Sequence, residues 1–428
     1  MGWNSWDAYG STINEAQFKA NVAWFHRHLQ PYGWQYVVID EGWYLAHPEN
    51  SAAPGYTVSA DGRYFPALNR FPSIGSPHSF KPLADYVHSL GLKFGIHIIR
   101  GIPREAVDRN LVIAGSGFHA DDAADRSDTC RWNSDNYGLK DNAAGQAYYD
   151  SILQLYASWG VDFLKVDCIS TPYKAASIRM IDKAIQKSGR PIVLSLSPGP
   201  TPLADAADVS AHAQQWRISN DFWDIWTSPH DANGFPQSLK DQFPLLAQWE
   251  PYAGPGHWPD ADMLPIGYLG PHAGWGAPRQ SRLTHTEQRT LITLWSIARS
   301  PLILGANLTR MDPATESLLT NPEVLAVDQH TTGNHPIVEA GKNGDTTAGR
   351  IVFWAAQDGD DTVLAVFNRT DEPARVSMPA WKELGGQFGL DQTSYHVRDL
   401  WLRKDLGVRF TLSVTLPPHG AALFRLSK

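Results

Sequence analysis

The sequence predicts an α/β protein: a (β/α)8 TIM barrel followed by a C-terminal antiparallel β-sandwich domain. Three observations carry this. Short apolar runs ending in polar or Gly residues alternate with helical patterns over the first three quarters of the chain, which is the mark of βα units. From about Val327 the apolar period changes from helical to alternating. The 428 residues exceed what one core usually serves, whereas a barrel of roughly 250 residues or more plus an appendage accounts for them.

Eight strands are expected: Met1–Trp6, Gln35–Asp40, Lys93–Ile98, Asp162–Asp167, Ile192–Ser197, Ala213–Arg217, Gly256–Asp260 and Pro301–Leu304. Between the first two, Phe18, Val22, Phe25 and Leu29 recur at helical spacing, with Asn14 as N-cap and Gln17 three positions later completing a capping box. Further helices are expected near Pro82–Leu90, Asn142–Trp159, Tyr173–Lys187 and Thr286–Arg299. The long segments after the third and sixth strands read as loops at the barrel's C-terminal face. The second domain should carry strands at Arg350–Ala356, Thr362–Asn368, Ala374–Met378, Tyr395–Trp401, Arg409–Leu416 and Ala421–Leu426, separated by Asp-Gly, Asp-Glu-Pro and Pro-Pro-His-Gly turn signals. The boundary falls in Gln329–Pro336, giving a catalytic barrel over 1–328 and a sandwich over 329–428.

Composition narrows the function. Lys plus Arg is 36 and Asp plus Glu 44, so 36 minus 44 gives a net charge of −8, and nucleic acid is not an expected partner. No run of 18 apolar residues is present, which argues against a membrane span, and no signal-type n-region or h-region is retained. The chain carries 17 Trp; their flat faces suit sugar rings, although most Trp serve packing. Cys130 and Cys168 are too few for a disulfide framework and leave one bridge or two free thiols open.

In a TIM barrel the reacting groups collect where strands end. Asp40-Glu41 closes Tyr-Val-Val-Ile; Lys165-Val-Asp167 closes Val-Asp-Phe-Leu; Trp216-Arg217 precedes Asp221; and Trp258-Pro-Asp260-Ala-Asp262-Met263 follows a Gly-rich approach. One carboxylate at a strand end serves as a helix cap or ion pair. Four acidic ends with Lys165, Arg217 and Trp nearby read instead as a concave site for hydroxyls. Two of the carboxylates could hydrolyse a glycosidic bond, one as nucleophile or base and one as acid. Metal chemistry is the competitor, through His97, His257, Asp260 and Asp262, but no His or Cys cluster has ligand spacing; no metal and no cofactor are expected. Phosphate loops are absent.

Met1-Gly-Trp-Asn-Ser-Trp6, Ile39-Asp40-Glu41-Gly42-Trp43, Phe163-Leu-Lys165-Val-Asp167, Trp216-Arg217 with Asp221, and Trp258-Pro-Asp260-Ala-Asp262-Met263-Leu264 together resemble the successive strand-end motifs of glycoside hydrolase family 27, which includes α-galactosidases, α-N-acetylgalactosaminidases and β-L-arabinopyranosidases. The resemblance runs in order through the barrel. It implies a retaining exo-glycosidase acting on a terminal α-D-galactopyranosyl residue, with Asp167 as nucleophile and Asp221 as general acid/base. It also implies hydroxyl contacts from Arg217 and Asp262 at C2 and C3 and from Asp40 at C4, with a further hydroxyl contact from Lys165. Trp6 and Met263 would pack on the sugar, and Asp260 would support the pocket. Lys165, two residues before Asp167 on the same strand face, is expected to favour the ionised nucleophile.

The departures concern specificity. Glu41 stands where α-galactosidases usually have Asp; its extra methylene intrudes on the space of a C6 hydroxymethyl and suits a pentopyranose, as in β-L-arabinopyranosidases. Ser197 stands where the family's galactosidases carry a Glu that limits room around C2, as in α-N-acetylgalactosaminidases. His97 replaces a usual Tyr, and Arg100 adds a cation. Family members commonly bridge the third-strand loop to the residue two places past the nucleophile; here Cys168 follows Asp167 directly, so a Cys130–Cys168 bridge and two free thiols both remain open. The habit of relatives favours a secreted or periplasmic location. The substrate would be a galactose-configured oligosaccharide or glycan; homo-oligomerisation is left open, and the aglycone depends on loops such as Arg104–Tyr137 and Pro229–Trp249. A non-catalytic carbohydrate-binding barrel is the alternative from another class, and a Schiff-base role for Lys165 is disfavoured by the carboxylates that keep it charged.

Overall fold

The computed structural model describes residues 1–231, 234–337, 349–378, 381 and 390–428. The barrel strands are β1 (Gly2–Asn4), β2 (Tyr36–Ile39), β3 (Lys93–Ile99), β4 (Phe163–Asp167), β5 (Val193–Leu196), β6 (Gln215–Arg217), β7 (Trp258–Asp260) and β8 (Ile303–Leu304). In one parallel sheet β1 to β6 follow one another and β8 lies beside β1; all six of those pairings are parallel. Each expected strand is present; all are trimmed at one or both ends except the third, which runs one residue further, to Ile99. Close packing shows at Gly95 of β3, where a Cβ would lie 2.8 Å from Val38 Cγ2 and 3.1 Å from the Phe163 carbonyl of the strands on either side.

By its contacts the chain divides into two compact units, one of Met1–Arg217, Tyr268–Arg279 and Ile303–Arg310, the other of Ile218–Gly267, Gln280–Leu302 and Met311–Lys428. In the first, helix α1 (Glu15–His28) starts at the expected capping box: Gln17 N donates to Asn14 Oδ1 at 3.0 Å and Asn14 N to Gln17 Oε1 at 3.1 Å. Helices α2 (Lys81–Ser89), α3 (Ala143–Trp159) and α4 (Ala175–Ser188) follow their predicted positions. The segment after β3 is not a bare loop: Ile102–Pro103, Ala124–Thr129 and Asn136–Leu139 form a small antiparallel sheet within it.

The segment after β6 also contains structure that periodicity did not predict, the helix Leu239–Trp249 with Pro244 inside it. Proline lacks the N–H that would bond the Lys240 carbonyl. Arg369 supplies the missing donor from the C-terminal region, at 3.2 Å from that carbonyl. The following helix, His285–Ala298, has eleven of its fourteen residues buried. Residues far along the chain satisfy its polar groups: Thr290 Oγ1 donates to His419 O at 2.6 Å, Trp401 Nε1 to Thr293 Oγ1 at 2.9 Å and Asn334 Nδ2 to Ile297 O at 2.7 Å.

The C-terminal region is an antiparallel two-sheet structure. Six strands (Thr332–Pro336, Ile351–Asp358, Asp361–Asn368, Ala421–Ser427, Tyr395–Asp399, Lys404–Arg409, in sheet order) face a pair, Ala374–Ser377 with Ser413–Leu416. Leu364, Val366, Val397 and Phe424 from the larger sheet pack with Val376 and Leu416 from the smaller, the alternating inward residues of a sandwich. Eight Trp side chains are fully buried: Trp3, Trp34, Trp43, Trp216, Trp223, Trp295, Trp354 and Trp381. Packing thus uses much of the Trp content. Among the described residues no helix is long and apolar enough to cross a membrane.

Candidate active site

The sequence-predicted residues of the first unit lie at the C-terminal ends of β1 to β6. Side chains alternate along a strand, so Lys165 and Asp167 share one face of β4, and register sets His97 of β3 opposite Lys165. Asp40, immediately after β2, is buried; its Oδ2 accepts from Lys165 Nζ at 2.8 Å and from Asn4 Nδ2 at 2.6 Å, and its Oδ1 from the Glu41 backbone at 2.9 Å. Burial alone would raise its pKa, but the charges of Lys165 and His97 outweigh it and hold the carboxyl well below the usual carboxylate range. Asp40 and Lys165 are therefore a formed ion pair presenting an acceptor and a donor.

Asp167 sits at the end of β4 with its carboxylate fixed on both oxygens. Oδ1 accepts from the Cys168 backbone at 2.5 Å, and Oδ2 lies 3.2 Å from His97 Nε2. His97 is fully buried. Its desolvation opposes protonation, yet Asp40 and Asp167 together raise its pKa; an ionised Asp167 carboxylate can only accept, so in that contact the ring is the donor. Cys168 has φ +62, uncommon for a residue with a Cβ. Two partners hold it there: the disulfide to Cys130, with Cα atoms 5.9 Å apart, and Arg100 Nε on its carbonyl at 2.6 Å. The two cysteines are thus bridged. Arg100 also makes a two-point pair with Asp128 at 2.8 and 2.6 Å.

Glu41 is half-buried. Burial first, and then the charges of Asp167, Asp40 and Asp135, outweigh the pull of His97 and push its carboxyl up to about 7. Its Oε1 accepts from Asn133 Nδ2 at 2.7 Å. Asn133 and Asp135 belong to the loop after β3 and no sequence signal marked them; nor was Asn4, which lies inside a recognised motif, singled out. Glu41, His97 and Asp167 place one ligand atom each within 4.8 Å of one another, a set that could take a cation, although Asn133 and the His97–Asp167 hydrogen bond already engage these atoms. Trp6 is half-buried, with Gly274 packed so closely that a Cβ there would lie 2.5 Å from its Nε1. Ser197 and Arg217 are buried at the ends of β5 and β6.

The second unit holds the rest. Asp221 follows β6, half-buried, and its carbonyl accepts from Gln237 N at 2.9 Å. Asp262 has φ +90, a strained conformation that the surroundings over-determine. Its Oδ2 accepts from Phe222 N and its Oδ1 from Met263 N, both at 2.8 Å; its N donates to Asp260 Oδ1 at 2.8 Å and its carbonyl accepts from Trp295 at 3.0 Å. Phe222 is the neighbour of Asp221, so the Asp262 carboxylate anchors the backbone beside Asp221. Met263 is buried next in sequence.

Comparison with known proteins agrees with this architecture. Residues 137–330 match the family model for α-galactosidase A and residues 348–426 that for the α-galactosidase C-terminal β-sandwich domain. α-Galactosidase 3 of Arabidopsis thaliana is 31% identical over 416 residues, covering 95% of this chain and 76% of the relative. Among solved structures, a family 27 β-L-arabinopyranosidase from Geobacillus stearothermophilus is 43% identical with a TM-score of 0.90, covering 100% of this chain and 96% of that one. A candidate α-N-acetylgalactosaminidase from Bacillus halodurans is 37% identical with a TM-score of 0.84 and the same coverage.

Proposed function

Because the chain belongs to glycoside hydrolase family 27, the α-galactosidase family, we propose that it removes a terminal galactose-configured sugar with retention, Asp167 acting as nucleophile and Asp221 as general acid/base. The observation that carries the reading is the Asp167 carboxylate, held on both oxygens by Cys168 N and His97 beside the Asp40–Lys165 pair. In the first step an Asp167 oxygen bonds to C1 as the glycosidic C–O bond breaks, and Asp221 gives its proton to the departing oxygen. In the second, water attacks C1, Asp221 takes the water's proton, and the C1–Asp167 bond breaks. Asp40, Lys165, Arg217 and Asp262 would hold hydroxyls, Trp6 and Met263 would pack on the ring, and Asp260 would support Asp262. His97 would act on the sugar through Asp167.

α-D-Galactose is the default sugar. A second reading, β-L-arabinopyranosidase, is favoured by Glu41, whose carboxylate is held by Asn133 and would limit space at C5, and by the similarity to the Geobacillus enzyme. Ser197, with its small side chain, keeps N-acetylgalactosamine in the panel. Residues 1–328 would supply the chemistry and 329–428 the sandwich. A secreted or periplasmic location fits the Cys130–Cys168 bridge.

Initial rates on the nitrophenyl α-D-galactopyranoside, β-L-arabinopyranoside, 2-acetamido-α-D-galactopyranoside and α-D-glucopyranoside test the reading, with Asp167→Asn as blank. Cleavage of one of the first three is expected, with a mechanism-based label on Asp167. Labelling of any other residue sinks the assignment. Asp221→Asn should spare good leaving groups more than poor ones; equal losses across a leaving-group series reject its role.

A further inference from the structure

Resting on the glycosidase reading, we propose that Asn133, on the loop after β3, is a specificity-determining positioning residue that fixes the carboxylate of Glu41 and so sets which C5 substituent the pocket admits. A Glu side chain has three torsions and, unrestrained, samples several rotamers. One extra methylene discriminates between a hydrogen and a hydroxymethyl on the sugar only if the carboxylate stays in one place.

Asn133 is built to keep it there. Its Nδ2 donates to Glu41 Oε1 at 2.7 Å and to Asp135 Oδ2 at 3.1 Å, while its Oδ1 accepts from Asp135 N at 2.8 Å. Both amide hydrogens point at carboxylates, and the reversed amide would set an oxygen against them, so the orientation is forced. Asp135 is itself held, by Tyr44 Oη at 2.5 Å and Tyr56 Oη at 2.6 Å. Tyr44 is buried and stacked on Tyr64 with ring centroids 3.9 Å apart. Three residues before Asn133, the Cys130 bridge ties the loop to Cys168, the neighbour of Asp167. The loop is therefore fastened at both ends, and Asn133 transmits that rigidity to Glu41.

The experiment measures kcat/KM on nitrophenyl β-L-arabinopyranoside and α-D-galactopyranoside for wild type, Asn133→Ala, Asn133→Asp, Glu41→Asp and the Glu41→Asp/Asn133→Ala double variant. Asn133→Ala should move the ratio of the two values toward one by roughly threefold or more, mainly through KM. Asn133→Asp, isosteric but without the donor, should do at least as much. In Glu41→Asp, where the shorter carboxylate falls back from Asn133, the second substitution should leave the ratio where it is. An unchanged ratio, an equal fall on both substrates, or a full Asn133 effect in the Glu41→Asp background each overturns the inference while the glycosidase reading stands. A wild type that cleaves neither glycoside removes the inference, and one that is also silent on the 2-acetamido-α-D-galactopyranoside removes the glycosidase reading with it.

Discussion

Replacing Glu41 by Gln should stabilise the protein in a pH-dependent way. The native carboxyl is pushed up to about 7 from an ordinary 4.5, first by burial and then by Asp167, Asp40 and Asp135 against the pull of His97. An acid with a raised native pKa keeps its proton longer when folded, so stability is present at low pH and drains away as the pH climbs from 4.5 to 7, levelling above. With one pKa unit at 1.36 kcal/mol, ionisation of Glu41 costs the fold about 0.8 kcal/mol at pH 5 and about 3.3 at pH 8. Gln has the same shape, keeps an Oε1 for Asn133 and carries no charge. Relative to wild type the variant should therefore gain about 2.5 kcal/mol between pH 5 and pH 8. Urea unfolding of both proteins at the two pH values measures this directly. A Glu41→Gln difference that is the same at pH 5 and pH 8 refutes the argument, because it would mean that Glu41 ionises normally despite its neighbours.

Lys165→Met leaves the buried Asp40 carboxylate with Asn4 Nδ2 and the Glu41 N–H as donors; it should cost about 3–5 kcal/mol in urea unfolding at pH 7, and a loss below about 1 kcal/mol would show that Asp40 does not depend on Lys165. Removing the bridge with Cys130→Ser/Cys168→Ser frees a loop of sequence separation 38, for which chain entropy gives about 4 kcal/mol; reduction of the wild type should reproduce that loss. Arg369→Met should cost about 1 kcal/mol by orphaning the Lys240 carbonyl. Adding Pro244→Ala should recover it, since the new N–H can bond that carbonyl; unfolding of the single and double variants decides.

The strand ends were the most legible part of the site, because period-two alternation and the position of polar residues after apolar runs place Asp40, Lys165 and Asp167 without knowledge of the third dimension. Asn14 and Gln17 likewise announce their own helix start. The helix Leu239–Trp249 was not visible, since Pro244 argues against it and the donor that compensates, Arg369, lies over a hundred residues away. The Asn133–Asp135 pair was hidden for a similar reason: a loop has no periodicity, and its value comes from reaching Glu41, 92 positions earlier. Sequence marked His97 as a replacement for a usual Tyr and a member of the competing metal set, and read Arg100 as a bare cation at the strand end. Folding buries the first against Asp167 and matches the second to Asp128. Local pattern fixes which face a side chain takes; partners brought in by long connections decide what it does there.

The helix His285–Ala298 carries a cost in time. Its sides are covered and its polar groups bonded by Asn334, Trp401 and His419, all made by the ribosome later than the helix itself. During synthesis, a helix with eleven buried residues lacks the cover that Asn334, Trp401 and His419 bring until the last strand has emerged. At ordinary elongation rates the interval is on the order of ten seconds. The nascent chain in that interval is an aggregation-prone species, and a chain cut at 328 would never leave it.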